Sequence, residues 1–157
     1  RQSFVKSRAP LEENAFTIME YENGAIGTIW SSCVNAGSMH GQIIRVVGSK
    51  ASIEWWDEHP NQLRYEIQGE PVKVLERGMD YLYSEALYDD RIGGGHSEGL
   101  FEAWSNLYTR FAKAINAADR GESLEDRWYP GIQAGIRGAC QALPRLPAPL
   151  RPAVRCA

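Results

Sequence analysis

Between Asn14 and Glu76 the apolar positions come in short runs: Phe16-Thr17-Ile18-Met19, Ala25 to Trp30, Ile43 to Val47, Ser52 to Trp56, Leu63 to Ile67 and Val72 to Leu75. Runs of this length, rich in β-branched and aromatic residues, predict strands whose side chains alternate between two faces. Turn chemistry separates them. Asn23-Gly24 tolerates the positive φ of a tight hairpin, Gly48-Ser49-Lys50 marks a second hairpin, Asp57 to Asn61 is a breaker cluster, and Gly69-Glu70-Pro71 is a further turn. Strands joined this closely must mostly pair antiparallel, because a parallel return needs a crossover of about a dozen residues or more. Positions 14 to 76 therefore read as one sheet layer.

The period then changes. Leu100, Trp104, Leu107, Phe111 and Ile115 recur at helical spacing and predict a long amphipathic helix from about Ser97 to Ala118, with Glu102, Asn106, Arg110, Lys113 and Asn116 largely off its apolar stripe. A second helix is predicted from Ile132 to about Leu143, carrying Gly135 and Gly138 at a cost of about 1 kcal/mol each against alanine. Strands first and helices after them give the α+β class: an open, mainly antiparallel sheet with helices packed on one face. Trp55 and Trp56 are adjacent in one strand and so point to opposite faces. Both faces are then apolar there, and the face without helices is expected to be an oligomer interface on the Trp55 or Trp56 side. Residues 1–13 carry no cap or turn and read as a connecting segment, 14–143 as the domain. Residues 144–157 read as a Pro/Arg-rich tail, extended or disordered, because Pro144, Pro147, Pro149 and Pro152 interrupt any helix.

Composition narrows the classes. A chain of 157 residues with 43% hydrophobic and 24% charged residues is a globular chain of single-domain size, expected to remove about two thirds of its unfolded area from water. A net charge of −3 gives no whole-chain basic field for nucleic acid or an anionic membrane. No apolar run is long enough to span a bilayer, and no secretory signal opens the chain. Cys33, Cys140 and Cys156 are odd in number and widely spaced, which argues against a disulfide framework or zinc ribbon and for a reducing, cytoplasmic compartment. The first residue is Arg1 and not Met, so the expectation is a part of something longer.

The stretch Gly93-Gly94-Gly95-His96-Ser97-Glu98-Gly99 invites comparison with nucleotide-binding loops and fails it: counted from Gly93, Glu98 stands where the dinucleotide fingerprint needs its third glycine. A carboxylate there also competes with phosphate for backbone donors. No cofactor-binding, catalytic or metal-ligating residue is assigned within the chain. What the loop offers is a histidine, a hydroxyl and a carboxylate at a helix start. Ser97 reads as the N-cap, Glu98 suits the positive end of the dipole, and His96, expected to be neutral there, keeps one ring nitrogen to donate and one to accept. That chemistry suits recognition of a substrate hydroxyl by His96 and Glu98. The other reading leaves Ser97 and Glu98 as caps only, with His96 solvated or bonded to a neighbouring carbonyl. His40 and His59 lack partners at metal-ligand spacing and read as turn residues, and Asp89 and Asp90 as a solvated loop.

Several of these segments together resemble the C-terminal domain of the glucose-fructose oxidoreductase, inositol dehydrogenase and rhizopine-catabolism (Gfo/Idh/MocA) oxidoreductases. The resemblance runs from Asn14 to Arg120. It rests on the Asn23-Gly24-Ala25-Ile26-Gly27 turn, the Ser31-Ser32 strand end, the strand-turn-strand from Ile44 to Trp55, and above all Gly95-His96-Ser97-Glu98-Gly99 leading into Ala103-Trp104-Ser105-Asn106-Leu107-Tyr108. The family typically has proline where this chain has Ser97, and it continues past the last helix where this chain turns to Pro, Arg and Ala. The resemblance implies an NAD(P)-dependent dehydrogenase or reductase of sugars, inositols or related polyols. A separate Rossmann domain holds the NAD or NADP, and a lysine in a Glu-Lys-Pro motif handles the substrate proton. Neither is in this chain. It would supply the substrate-side wall and the homo-oligomer contacts, with His96 reaching a substrate hydroxyl. The alternative is a free-standing polyol-binding or scaffold domain.

Overall fold

The structure, a computed structural model, describes residues 13–123 and 129–142. Among these residues the order is β1 (Asn14–Glu20), β2 (Ile26–Ser32), β3 (Ile43–Val47), β4 (Ala51–Trp56), β5 (Gln62–Ile67), β6 (Lys73–Glu76), α1 (Ser84–Leu87), α2 (Leu100–Asp119) and α3 (Ile132–Ala142). The arrangement is α+β with antiparallel sheets, as the sequence pattern predicts. The short α1 has no counterpart in that pattern. The tail at 144–157 and, but for Glu13, the connecting segment at 1–13 lie outside the described residues.

The strands do not form one hydrogen-bonded sheet. They make a two-stranded sheet, β1-β2, and a four-stranded sheet in the order β3-β4-β5-β6. Residues 33–42 lie between β2 and β3, and so long a link does not hold two strands in hairpin register, which takes about two to five residues. The chain divides accordingly into two units, one holding β1, β2 and the link through Ile44 together with Trp56–Glu58, the other Arg45–Trp55 and the described residues from His59 onward.

In the first unit β1 and β2 pair from Asn14↔Ser32 to Glu20↔Ile26. The turn closes with Gly24 N donating to Tyr21 O (2.8 Å) and Tyr21 N to Ala25 O (2.9 Å). Only Gly24, at φ +80°, takes positive φ; Asn23 instead accepts from Ala25 N through Oδ1 at 3.1 Å. Opposite each other, Phe16 and Trp30 stack with ring centroids 5.6 Å apart, and the indole donates to Asn14 Oδ1 at 2.7 Å. The link is pinned by two carboxylates: Glu58 accepts from Gly41 N (2.9 Å), and Asp57 accepts from Gln42 N (2.9 Å) and pairs with His40 Nδ1 (2.5 Å), which raises the imidazole pKa above its ordinary value. His40 is thus an ion-pairing residue, while His59 lies in the turn before β5, its carbonyl accepting from Gln62 N.

In the second unit the register puts Ile53, Trp55, Leu63, Tyr65, Ile67 and Leu75 on one side of the sheet. All but Ile53 are half-buried. The other side carries Arg45, Glu54, Arg64 and Glu66, joined by contacts of 2.5 to 3.9 Å, together with the exposed Val74 opposite Arg64. Among the described residues no apolar side chain is buried. The α2 stripe is open to water, with Trp104 53% and Phe111 52% exposed. The described residues thus lack the core expected from composition, because composition fixes how much apolar surface a chain carries and not how that surface is enclosed.

Gly24→Ala, forcing a side chain into positive φ, costs the hairpin about 1 kcal/mol or slightly more. Hydrogen exchange should show the β1-β2 amides losing protection about fivefold. Unchanged protection contradicts this account of the turn.

Candidate functional site

The loop that carries His96 is fixed by one ionic knot. Arg77 follows β6, and its side chain, 17% exposed, binds five groups. Nε donates to Asn61 Oδ1 (2.9 Å); Nη1 donates to Asp90 Oδ1 (2.9 Å) and Ile92 O (3.0 Å) and meets Glu98 Oε1 at 3.1 Å; Nη2 donates to His96 O. Glu98 is the one buried polar residue among those described. Its Oε1 also accepts the backbone N–H groups of Arg91 and Ile92, both at 2.8 Å. Asn61 closes the knot reciprocally, donating from Nδ2 to Glu98 O and accepting from Glu98 N, each at 3.0 Å. A carboxylate held by two backbone amides and a guanidinium is an internal anion in an anion nest.

The glycines serve this packing. A Cβ on Gly94 would stand 2.9 Å from Gly78 O, and one on Gly78 would stand 2.9 Å from Gly94 Cα, so the two backbones touch where no side chain fits. The loop then turns back, with His96 N donating to Gly93 O at 3.3 Å. The His96 ring is exposed, and Nδ1 lies 3.2 Å from the same carbonyl. A carbonyl only accepts, so Nδ1 carries the proton, and in the neutral ring Nε2 is left as an outward acceptor.

The helix begins later than predicted. Gly99, and not Ser97, is the N-cap, because Glu98 is drawn into the knot and the capping carboxylate comes from Glu102, whose Oε2 accepts from Gly99 N at 2.8 Å. That bond holds the Glu102 pKa below its ordinary value. The polar stripe of α2 grips the loop: Asn106 Nδ2 donates to Asp89 O (2.8 Å), and Arg110 Nη2 spans both oxygens of Asp89 (2.8 and 2.9 Å). Asp89 and Asp90 are therefore paired with Arg110 and Arg77, not a solvated couple. Asn61 and Arg77 carry no motif, and sequence reasoning missed them. The one available signal was that Glu98, if enclosed, needs a cation. Among the described residues no group of three or more His, Cys, Asp or Glu is placed to hold a metal ion, and no helix is long and apolar enough to cross a membrane.

A family model described as "Oxidoreductase family, C-terminal alpha/beta domain" matches residues 1–139. An uncharacterized oxidoreductase, YfiI, of Bacillus subtilis (strain 168) is 60% identical over 140 residues, which is 88% of this chain and 36% of the relative's length. An inositol dehydrogenase homolog from Azotobacter vinelandii, solved with NAD+ and also with NADH and myo-inositol, is 70% identical with a TM-score of 0.86 in both structures. The match covers 89% of this chain and 36% and 38% of those chains. An oxidoreductase from Pseudomonas syringae is 69% identical with a TM-score of 0.84, over 88% of this chain and 38% of that one.

Glu98→Gln removes the charge from the nest and should destabilise the loop by about 2 kcal/mol, read as faster exchange of the Arg91 and Ile92 amides. Exchange at the wild-type rate contradicts the knot. Because the Glu102 pKa is depressed, its support of the helix start is complete above the ordinary 4.5 and is lost as pH falls through the lower folded value. An NMR titration of the Gly99 amide should give a midpoint below 4.5; a midpoint at or above it contradicts the cap.

Proposed function

The chain belongs to the Gfo/Idh/MocA oxidoreductase family, as its C-terminal alpha/beta domain, and from that premise we propose that it forms the substrate-side and oligomerisation domain of an NAD-dependent dehydrogenase acting on inositol or a related polyol. The observation that carries this reading is the His96 ring, exposed and aimed through its own Nδ1–Gly93 bond, on a loop that Arg77 and Glu98 hold still. A relative solved with NADH and myo-inositol at 70% identity supports the substrate class.

The glycine loop does not fit the nucleotide. The amides of Arg91 and Ile92, which a phosphate would need, are taken by Glu98, and Gly94 is spent on contact with Gly78. In this reading the NAD is held by a Rossmann domain of the whole protein, and 14–143 is the unit joined to it. His96 Nε2 accepts a hydrogen bond from one substrate hydroxyl and so selects the ring face presented to the chemistry. Glu98 contributes to recognition as a positioning residue, keeping the His96 backbone from shifting. A homo-oligomer forms through the sheet, where Val46 and Val47 are exposed on β3, next to the strand bearing Trp55 and Trp56, and Val74 on β6. The setting is cytoplasmic, in keeping with the exposed free thiol of Cys33.

His96→Ala in the full-length protein should lower kcat/KM for the polyol by about tenfold to a hundredfold, the worth of one hydrogen bond to a polar substrate group, while NAD affinity and melting temperature stay put. Unchanged polyol kinetics contradict the role of His96.

A further inference from the structure

A polar concavity lies between the segment after α1 and the polar stripe of α2. Asn106, Thr109, Arg110 and Lys113 fall at i, i+3, i+4 and i+7 on one helix face, and with Tyr88 to Arg91 they line an open space of 250 Å³. Its lining sets three cations, Arg91, Arg110 and Lys113, against two carboxylates, Asp89 and Asp90. Asp89 is chelated by Arg110, and Asp90 belongs to Arg77. Arg91 is held only by neutral acceptors, Asn106 Oδ1 at 2.7 Å and Thr109 Oγ1 at 3.2 Å. Lys113 Nζ rests on the Tyr88 hydroxyl and lies 5.0 Å from that ring's centroid, as does the Arg110 guanidinium. Among the described residues no carboxylate forms an ion pair with Arg91 or Lys113.

Arg91 and Lys113 thus flank one concavity without a carboxylate in ion-pair contact with either. The guanidinium is already oriented, so a ligand pays little to order it, and three of its five N–H donors remain beyond the two engaged. The Lys113 ammonium on its hydroxyl, with Arg110 adding, holds the Tyr88 phenol pKa below its ordinary value against the opposing effects of desolvation and Asp89.

We propose that this concavity binds a phosphate group, with Arg91 and Lys113 supplying charge-assisted hydrogen bonds and the Tyr88 hydroxyl a third polar contact. Two cations at one opening match a tetrahedral dianion better than a single carboxylate. The site is independent of the His96 reading and stands or falls without it.

The test is titration of the full-length protein with inorganic phosphate at constant ionic strength, followed by calorimetry, with acetate as a parallel arm. Saturable phosphate binding is expected. Arg91→Gln and Lys113→Met should each weaken it about tenfold, and Lys50→Met, a cation in the β3-β4 turn, should leave it unchanged. Because Arg91 also braces Asn106 and Thr109, its variant is read beside a melting curve. Lys113→Met, which removes only the contact to Tyr88, decides the matter if the Arg91 variant loosens the fold. No saturable binding, equal loss in the Lys50 variant, retention in the Lys113 variant, or acetate binding as tightly as phosphate overturns the proposal.

Discussion

One contact governs the rest of this domain: the Arg77 guanidinium against the enclosed Glu98 carboxylate. Losing the Glu98 charge weakens the hold on the Arg91 and Ile92 amides and leaves Arg77 with Asp90 alone, at a cost of about 2 kcal/mol. Through this pair the end of β6, the turn before β5, the glycine loop and the start of α2 become a single piece. The geometry also explains why a glycine-rich loop at a helix start is here no phosphate cradle. Its donors serve an internal anion, and the exposed group left over is an imidazole.

The second constraint is the shortage of enclosed apolar surface. The aromatic stripe of α2 is half open to water and the sheet is half-buried on one side, so among the described residues much apolar surface stays unenclosed. Fully enclosing side chains of this size is worth about 1.5–3 kcal/mol apiece, so this unenclosed surface matters as much to stability as the ionic knot does to the site. A chain that spans 36% of its Bacillus subtilis relative's length fits that picture.

The sequence made the elements legible where one local rule was enough. Alternation located all six strands, Asn23-Gly24 and Gly69 located turns, and the 3.6-residue period located α2 and α3. It failed where the deciding interaction is long-range. Ser97 looked like the cap because nothing near it shows that Arg77 draws Glu98 away, a separation of 21 positions. Asp89 and Asp90 looked solvated because their partners lie at 110 and 77, and α1 is too short to show a period. His96 was legible as an exposed polar residue in a flexible loop, but its tautomer depends on a carbonyl whose direction only the fold supplies.

The central claim is that the knot faces inward and the imidazole outward. A crystal structure of the full-length protein with a polyol bound tests it most directly. The account predicts His96 Nε2 within hydrogen-bond distance of a ligand hydroxyl while Glu98 stays on Arg77, Arg91 and Ile92. A ligand hydroxyl on the Glu98 carboxylate, with the His96 ring turned away from the polyol, would contradict it.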